Sequence, residues 1–386
     1  MTRVYFDNAA TTPLDPAVIE AMTQAMREDF GNPSSIHADG RRVRALIERA
    51  RKTVAECIGA SIGEIFFTSG GTESNNMALK CSVRDLGVRR VISSPLEHHC
   101  VLHSLDYLRD RGIRIDFVRT ASCGKVDTEH LEELLSEQHD GKTLVSLMHA
   151  NNEVGTLLDL ERVSELCRQY GAYLHSDTVQ TVGHFPMDVS KTKISFLSGA
   201  AHKFHGPKGV GFIYINGDNI IKPLLDGGAQ ERNMRGGTEN VYGIVGLATA
   251  LQMATEEMES RTDKINDLRT YFMDRLEELI PGVQFNGPGR EGGLYTVVSA
   301  SFPPGEHSEL LLFNLDIYGI SASGGSACSS GADKGSHVIS TLGNRDGWAT
   351  VRFSFSHYNT REEVDFVMDK LAAIFEVEPV ESSPGR

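Results

Sequence analysis

The sequence has few of the residues that build disulfide scaffolds or membrane spans. Its 386 residues include 6 cysteines and 1 tryptophan, and no two cysteines form a CxxC pair. Cysteines this sparse exclude a disulfide framework, and no apolar run is long enough to cross a bilayer. The first residues, MTRVYFDNAATTPL, contain no apolar signal-peptide core. We therefore expect a cytoplasmic protein with reduced thiols.

Positive charge is also scarce, since 38 lysines and arginines face 52 aspartates and glutamates and leave a net charge of −14. This balance gives no electrostatic basis for binding nucleic acid or anionic membranes, and we expect neither as a partner. We treat the 14 histidines as isolated side chains rather than helix-spaced ligand pairs, and we expect no metal site.

Short apolar runs alternate with helical segments through the first two-thirds of the chain. Seven runs have the length of buried strands: 64–68, 91–94, 115–119, 144–148, 172–175, 194–197 and 211–215. Strands this short with helices between them favour an α/β fold, a mainly parallel seven-stranded sheet covered on both faces. Asp15-Pro16 predicts the start of a helix, Gly59 predicts a helix end, and one long helix is expected from Thr249 to Leu279.

The later part of the chain mixes strands and helices and predicts a smaller α+β domain. We expect residues 16–250 to form the large domain, residues 1–15 and 251–378 to form the small domain, and residues 379–386 to be a disordered tail.

In open α/β sheets, ligands bind beyond the carboxyl ends of the strands, so the residues there are the candidates for a site. SGGTESNN at 69–76 is either an anion cradle or an ordinary turn into a helix. Asp177 could cap a helix or hold a positive charge, with Gln180 as a neutral donor beside it. Lys203 is either a surface charge or a confined nucleophile before a glycine-bounded turn. An anion cradle, a carboxylate and a lysine together meet the requirements of pyridoxal phosphate.

Ten runs in order across the chain resemble a known family. They are YFDNAATTP (5–13), FGNPSSIH (30–37), FTSGGTESNN (67–76), EHHCVL (97–102), NNEVG (151–155), HSDTVQ (175–180), AHKFHGPKG (201–209), MRGGTEN (234–240), SGGSACSSG (323–331) and VRFSFS (351–356). The chain resembles a fold-type I pyridoxal-phosphate enzyme of the class V aminotransferase group, and more narrowly the NifS/IscS-type cysteine desulfurases.

The resemblance implies pyridoxal 5′-phosphate as the cofactor and a role for each matched position. Lys203 would bind the cofactor covalently, Asp177 would pair with its ring nitrogen and Gln180 would face its phenolic oxygen. His98 would stack on the ring and carry a proton. Gly71, Thr72 and His202 would form a phosphate cup, and Asn152 would line the cofactor and substrate site.

The same resemblance implies the substrate, the acceptor and a homodimer. Arg352 would clamp the carboxylate of L-cysteine, and Cys328 would take the sulfur as a persulfide, leaving L-alanine. Thr238 would reach the phosphate of the other subunit. The sulfur would pass to an iron–sulfur scaffold or another acceptor protein, and the other five cysteines are predicted to be packing residues.

One position departs from the family pattern, because Ala200 stands where a phosphate-contacting serine is usual; Ser198 or a water could take its place. Two alternatives stay open. A selenocysteine lyase would share the lysine and the ring contacts, and a catalytically idle scaffold for sulfur delivery would share the fold.

Overall fold

A seven-stranded sheet forms the centre of the computed structural model, which describes residues 3–305, 307–308, 310–324, 335–343 and 347–377. The strand order is β2-β8-β7-β6-β5-β3-β4. The bounds are β2 Ile65–Thr68, β3 Val88–Ser93, β4 Arg114–Phe117, β5 Lys142–Ser146, β6 Tyr173–Asp177, β7 Phe196–Ala200 and β8 Gly211–Ile215. All neighbouring pairs are parallel except those that β8 makes with β2 and β7. The predicted fold class is confirmed.

Helices cover both faces of this sheet because its inner strands are buried on both sides. β7 and β8, which lie inside the sheet, are buried at every residue, as is typical of strands covered on both faces, and the edge strand β2 is buried at every residue as well. The helices of this part are α1 Pro16–Glu28, α2 Ala38–Ile58, α3 Gly71–Asp85, α4 His99–Arg109, α5 Thr128–Ser136, α6 Leu160–Gln169, the single turn α7 Gln230–Asn233 and α8 Val241–Glu256.

Two helix signals in the sequence are confirmed. The Asp15 carboxylate accepts a hydrogen bond from the Ala17 backbone N–H at 2.9 Å, with proline in the first turn. Gly59 ends α2 with a φ of 67°, a conformation that glycine adopts without strain.

The single long helix predicted from Thr249 to Leu279 is wrong, because the chain breaks at Glu257 into α8 and α9 (Met258–Leu279). α8 is buried in the core of the central sheet, whereas Phe272 and its neighbours on α9 pack in a second core. The chain must therefore turn between two cores, which hydrophobic periodicity alone does not reveal.

The second core lies between small sheets and helices. β9 Gln284–Phe285, β10 Val297–Phe302 and β12 Ala349–Ser354 form an antiparallel sheet, and β1 Val4–Tyr5 pairs in parallel with β11 Ile320–Ser321. With α9, the surrounding helices are α10 Leu311–Ile317, α11 His337–Thr341 and α12 Arg361–Phe375. The domain boundaries stay a prediction. Within the described ranges, no helix is both long and apolar enough to cross a membrane.

Candidate active site

A cavity of about 260 Å³ opens at the carboxyl ends of β6 and β7. Nine of the sequence-predicted residues line it: Gly71, Thr72, His98, Asn152, Asp177, Gln180, His202, Lys203 and Arg352. The structure thus brings together positions that span 281 residues of sequence, from 71 to 352. Thr238 is not among the lining residues, and Cys328 lies outside the described residues.

Lys203 lies at the end of a short 3₁₀ turn that follows β7 directly. Its Nζ donates to the backbone carbonyls of Ala9 and Ala10, at 2.5 and 2.9 Å. A ring nitrogen of His184 lies 3.1 Å from the Lys203 carbonyl and fixes the backbone of the turn. The amine is therefore held at the cavity by two acceptors from the N-terminal segment.

Asp177 is the last residue of β6 and is 8% exposed. One carboxylate oxygen accepts from Asn75 Nδ2 at 2.6 Å, and the other accepts from the Val179 backbone N–H at 3.0 Å. Behind it, burial lowers the pKa of His175 to about 4, although the nearby Asp177 charge opposes this, so that imidazole is neutral near pH 7. The carboxylate is oriented before any ligand arrives.

The first turn of α3 approaches the β6 loop closely at Gly71. A Cβ there would lie 2.6 Å from Val179 Cγ2, so a side chain at this position would force the two segments apart. The free N–H groups of a helix start favour an anion. Ala200 lines the same cavity with a methyl group, while the hydroxyl of the buried Ser198 is 3.3 Å from a ring nitrogen of His175.

His202, the third predicted member of the phosphate cup, is neutral near pH 7. Burial lowers its pKa, and together with the charges of Lys203 and Lys208 brings it to about 4. Its Nδ1 lies 3.1 Å from Thr11 Oγ1. A neutral ring can donate a hydrogen bond to an anion through one nitrogen.

Arg352 is 2% exposed and lies on β12, from the second core. Its two terminal nitrogens donate to Asp7 Oδ1 at 2.8 Å and to the Asn152 carbonyl at 2.9 Å. Among the described residues, Nε has no hydrogen-bond partner. An oriented guanidinium with a donor to spare is suited to a carboxylate ligand.

His98 precedes α4 and caps it, since its Nδ1 accepts from the Cys100 backbone N–H at 3.2 Å. Burial lowers the pKa of His98; Asp177 opposes that change, while Lys203 and His99 reinforce it. The side chain of Gln180, also predicted, donates to the Ala9 carbonyl at 3.0 Å and so contacts the acceptor that Lys203 uses.

The sequence predictions missed several lining residues. Asn75, one helical turn after Thr72 and so on the same face of α3, could have been found from that spacing. Cys100 packs against a hydrophobic cluster as predicted, but it also lines the cavity, where its Sγ lies 3.0 Å from His98 Nδ1. Asp7 had no local signal, because its partner Arg352 lies 345 residues away.

The treatment of all histidines as isolated was also wrong. His99 and His103 lie four residues apart on α4 with their rings stacked at 5.4 Å, and His337 of α11 packs on His99 at 4.6 Å. In the part of the chain that the structure describes, no group of three or more His, Cys, Asp or Glu side chains is arranged to hold a metal ion.

The groups present fit pyridoxal phosphate. An amine, a fixed carboxylate and a helix start lie around one cavity, which are the groups that its aldehyde, ring nitrogen and phosphate require. Thr238 is exposed and lines a second cavity with Ser69 and Arg235. Within a single chain, Thr238 is thus not one of the residues around Lys203.

Comparison with known proteins agrees with this fold. The family model described as aminotransferase class-V matches residues 4–367, and the chain belongs to this family. It is 43% identical over 377 residues to "Cysteine desulfurase IscS" of Dictyoglomus turgidum, covering 97% of this chain and 94% of the relative. It is 41% identical over 370 residues to "Putative cysteine desulfurase IscS 1" of Bacillus subtilis, covering 94% and 96%. A solved "NIFS-LIKE PROTEIN" matches with a TM-score of 0.89 and 39% identity, covering 97% of this chain and 100% of the other.

Proposed function

We propose that the protein is a pyridoxal-phosphate-dependent cysteine desulfurase that converts L-cysteine to L-alanine. One observation carries the proposal: a single cavity contains the Lys203 amine, the Arg352 guanidinium and the Asp177 carboxylate. An amine that can bind the cofactor and a guanidinium that can bind a carboxylate, both in one cavity, define a site for an amino acid. The similarity to proteins named cysteine desulfurase selects the amino acid.

The residues divide the work of binding and proton transfer. Arg352 binds the substrate carboxylate, and Asp177 keeps a positive charge on the facing ring nitrogen. Lys203 would hold the cofactor and would take the Cα proton of the substrate at Nζ. His98 would carry a further proton. Bound pyridoxal phosphate supplies the electron sink that stabilises negative charge at Cα and makes the Cβ–S bond cleavable.

Cys328 is the proposed sulfur acceptor. The Cβ–S bond of L-cysteine breaks, an S–S bond forms to the Cys328 sulfur, and Cβ gains the proton that the thiol loses. L-cysteine and a protein thiol thus become L-alanine and a protein persulfide, with no external oxidant or reductant. The persulfide sulfur then passes to an acceptor protein such as an iron–sulfur scaffold, and a cytoplasmic location is part of the same proposal.

The working form is proposed to be a homodimer. Thr238 is exposed and outside the cavity of its own chain, as a residue serving the other subunit must be. Exposed apolar side chains also support an interface between two subunits; Phe30 is 75% exposed and Ile36 is 89% exposed. Sedimentation of the purified protein should give twice the chain mass, and Thr238→Ala should lower cofactor affinity; a monomer with full affinity would contradict the proposal.

The decisive experiment incubates the protein with L-cysteine, pyridoxal phosphate and a thiol reductant and measures alanine and sulfide. Equal amounts of both are expected, with none from Lys203→Ala. Cys328→Ala should abolish alanine formation from L-cysteine, and Cys167→Ala serves as the matched control, since that buried thiol lies outside the cavity lining.

Two outcomes would favour the alternatives. The protein would be a selenocysteine lyase if two results are found together: the wild type favours selenocysteine over L-cysteine, and Cys328→Ala still releases alanine from selenocysteine. A protein that gains no absorbance near the cofactor's visible band after addition of pyridoxal phosphate would be an idle scaffold.

A further inference from the structure

The sulfur of Cys100 connects three groups of the candidate active site. Its Sγ lies 3.0 Å from His98 Nδ1 and 3.2 Å from Asn75 Nδ2, and the Thr72 side chain hydrogen-bonds to it as well. Asn75 uses the same amide nitrogen to donate to Asp177 at 2.6 Å. A side chain that only filled space would have no reason to carry these polar contacts.

The direction of each hydrogen bond follows from the groups involved. Burial, together with the nearby Asp177 charge, raises the pKa of the Cys100 thiol to about 12, so the sulfur keeps its proton. The Asn75 amide and the Thr72 hydroxyl donate to the sulfur, which leaves the thiol hydrogen for His98 Nδ1.

His98 therefore has one ring nitrogen that accepts and one that carries the proton. The backbone N–H of residue 100 donates to Nδ1 at 3.2 Å, in addition to the thiol. Nδ1 cannot carry a proton while it accepts these bonds, so the proton of the neutral ring lies on Nε2. Among the described residues, no partner is recorded for Nε2.

We propose that Cys100 is a positioning residue that holds His98 in the Nε2–H tautomer, so that this nitrogen is a hydrogen-bond donor in the candidate active site. The proposal deepens the proposed function and rests on it for the use of that hydrogen bond.

Several other titratable groups face His98, and they do not change in a Cys100 variant. They are Asp177 at the end of β6, Lys203 after β7, His99 on α4 and His337 on α11. A comparison of wild type with a variant therefore isolates the thiol. A hydrogen bond donated to Nδ1 favours the neutral ring, so removal of the thiol should raise the pKa of His98.

The direct test is a long-range proton–nitrogen NMR spectrum of ¹⁵N-histidine-labelled, cofactor-free protein across pH, with His98→Gln to assign the signal. Wild type and Cys100→Ser should show the Nε2–H tautomer of His98, because serine keeps a donor at this place. Cys100→Ala should show a higher pKa for His98. The control Cys167→Ala, which removes a buried thiol of α6, should match wild type.

The second readout is alanine formation by the cofactor-loaded enzyme. Cys100→Ala should lower kcat roughly two- to tenfold, the equivalent of one neutral hydrogen bond, with KM for L-cysteine unchanged. The acidic limb of the pH profile of kcat for Cys100→Ala should move to higher pH. Cys100→Ser should restore both kcat and the position of this limb. An Nδ1–H tautomer in wild type, or a Cys100→Ala protein with an unchanged His98 pKa and kcat, would overturn the proposal. If wild type makes no alanine, the proposed function fails, but the spectrum still decides the role of Cys100.

Discussion

Individual residues of the cavity are fixed by neighbours from distant parts of the chain. Lys203 is held by the carbonyls of Ala9 and Ala10, and Arg352 is held by Asp7. These contacts orient the Lys203 amine and the Arg352 guanidinium before a ligand binds, which lowers the free-energy cost of ordering the two side chains during binding. Substitutions at single positions should therefore alter the chemistry more than the fold.

Asp177→Asn tests the carboxylate while preserving its shape. An amide cannot hold a positive charge on the ring nitrogen of the cofactor, so alanine formation should fall about 10²-fold or more. Bound cofactor should still be visible by absorbance. Asp188→Asn, at a carboxylate outside the cavity lining, is the control and should retain activity. Near-normal activity of Asp177→Asn would mean that this charge is not used.

Arg352→Lys tests recognition of the substrate carboxylate. Lysine keeps the charge but loses the planar fork, so the KM for L-cysteine should rise roughly tenfold or more, as expected for a charged hydrogen bond. Steady-state kinetics on purified protein would measure it, with Arg109→Lys on α4 as a control. An unchanged KM with a reduced kcat would assign Arg352 to a later step.

The sequence could predict those site residues that stand in recognisable runs, such as Lys203, but not contacts made by the backbone. Ala9 and Ala10 act through their carbonyls, which any residue supplies, so their side chains gave no signal. For Cys100 the sequence predicted packing but not the position of its sulfur beside His98, which is a consequence of how α4 begins.

At the scale of elements, the apolar runs located the strands of the central sheet because most of these strands are buried along their length; the edge strand β4 is the exception. The run at 211–215 coincides with β8, and the others differ from their strands by a few residues at their ends. What the periodicity could not predict is conformation imposed by tertiary contacts. Within α7, Glu231 and Arg232 have φ values of 43° and 56°, and Asn233 has 66°, although none of them is glycine.

A buried ion pair holds this left-handed segment in place. Glu231 is 5% exposed, accepts from both terminal nitrogens of Arg51 at 2.6 and 2.9 Å, and accepts from the Phe67 backbone N–H at 2.8 Å. Three consecutive residues with positive φ cost free energy, which these bonds offset. The segment leads into Thr238, so its conformation determines where that residue is presented.

Glu231→Ala should lower the free energy of unfolding by about 3–5 kcal/mol, because the buried Arg51 loses its buried charge partner and keeps only the more exposed Glu48, at 3.2 Å. Urea denaturation followed by circular dichroism measures the change. The double variant Arg51→Ala/Glu231→Ala should be less destabilised than the sum of the two single variants, since no charge remains uncompensated. Strict additivity would show that the two charges are not coupled.

At the scale of the whole molecule, five buried or partly buried histidines are neutral near pH 7. Desolvation lowers the pKa of each from the usual 6.5: to about 3 for His205 and to about 4 for His149, His175, His202 and His357. These rings lie in both parts of the fold, so their protonation affects the chain as a unit.

Stability should therefore fall as pH decreases from about 6.5 towards 4. In that window the unfolded chain binds protons at these histidines while the folded chain does not, so unfolding is favoured; above 6.5 both forms are neutral and the effect is absent. Urea midpoints at pH 7, 6 and 5 would show the decline. His357→Gln should reduce its steepness, while the exposed His103→Gln should not; a stability independent of pH in this range would contradict the depressed pKa values.

The pairing of β1 with β11 has a consequence for synthesis of the chain. Residues 4–5 leave the ribosome more than 300 residues before their partners at 320–321, and Arg352, which holds Asp7, emerges later still. The segment around Ala9 and Ala10 that supports Lys203 therefore gains these contacts only after residues 320–352 have been made. A chain synthesised only as far as Lys203 lacks Arg352 and so lacks part of the lining of the catalytic cavity.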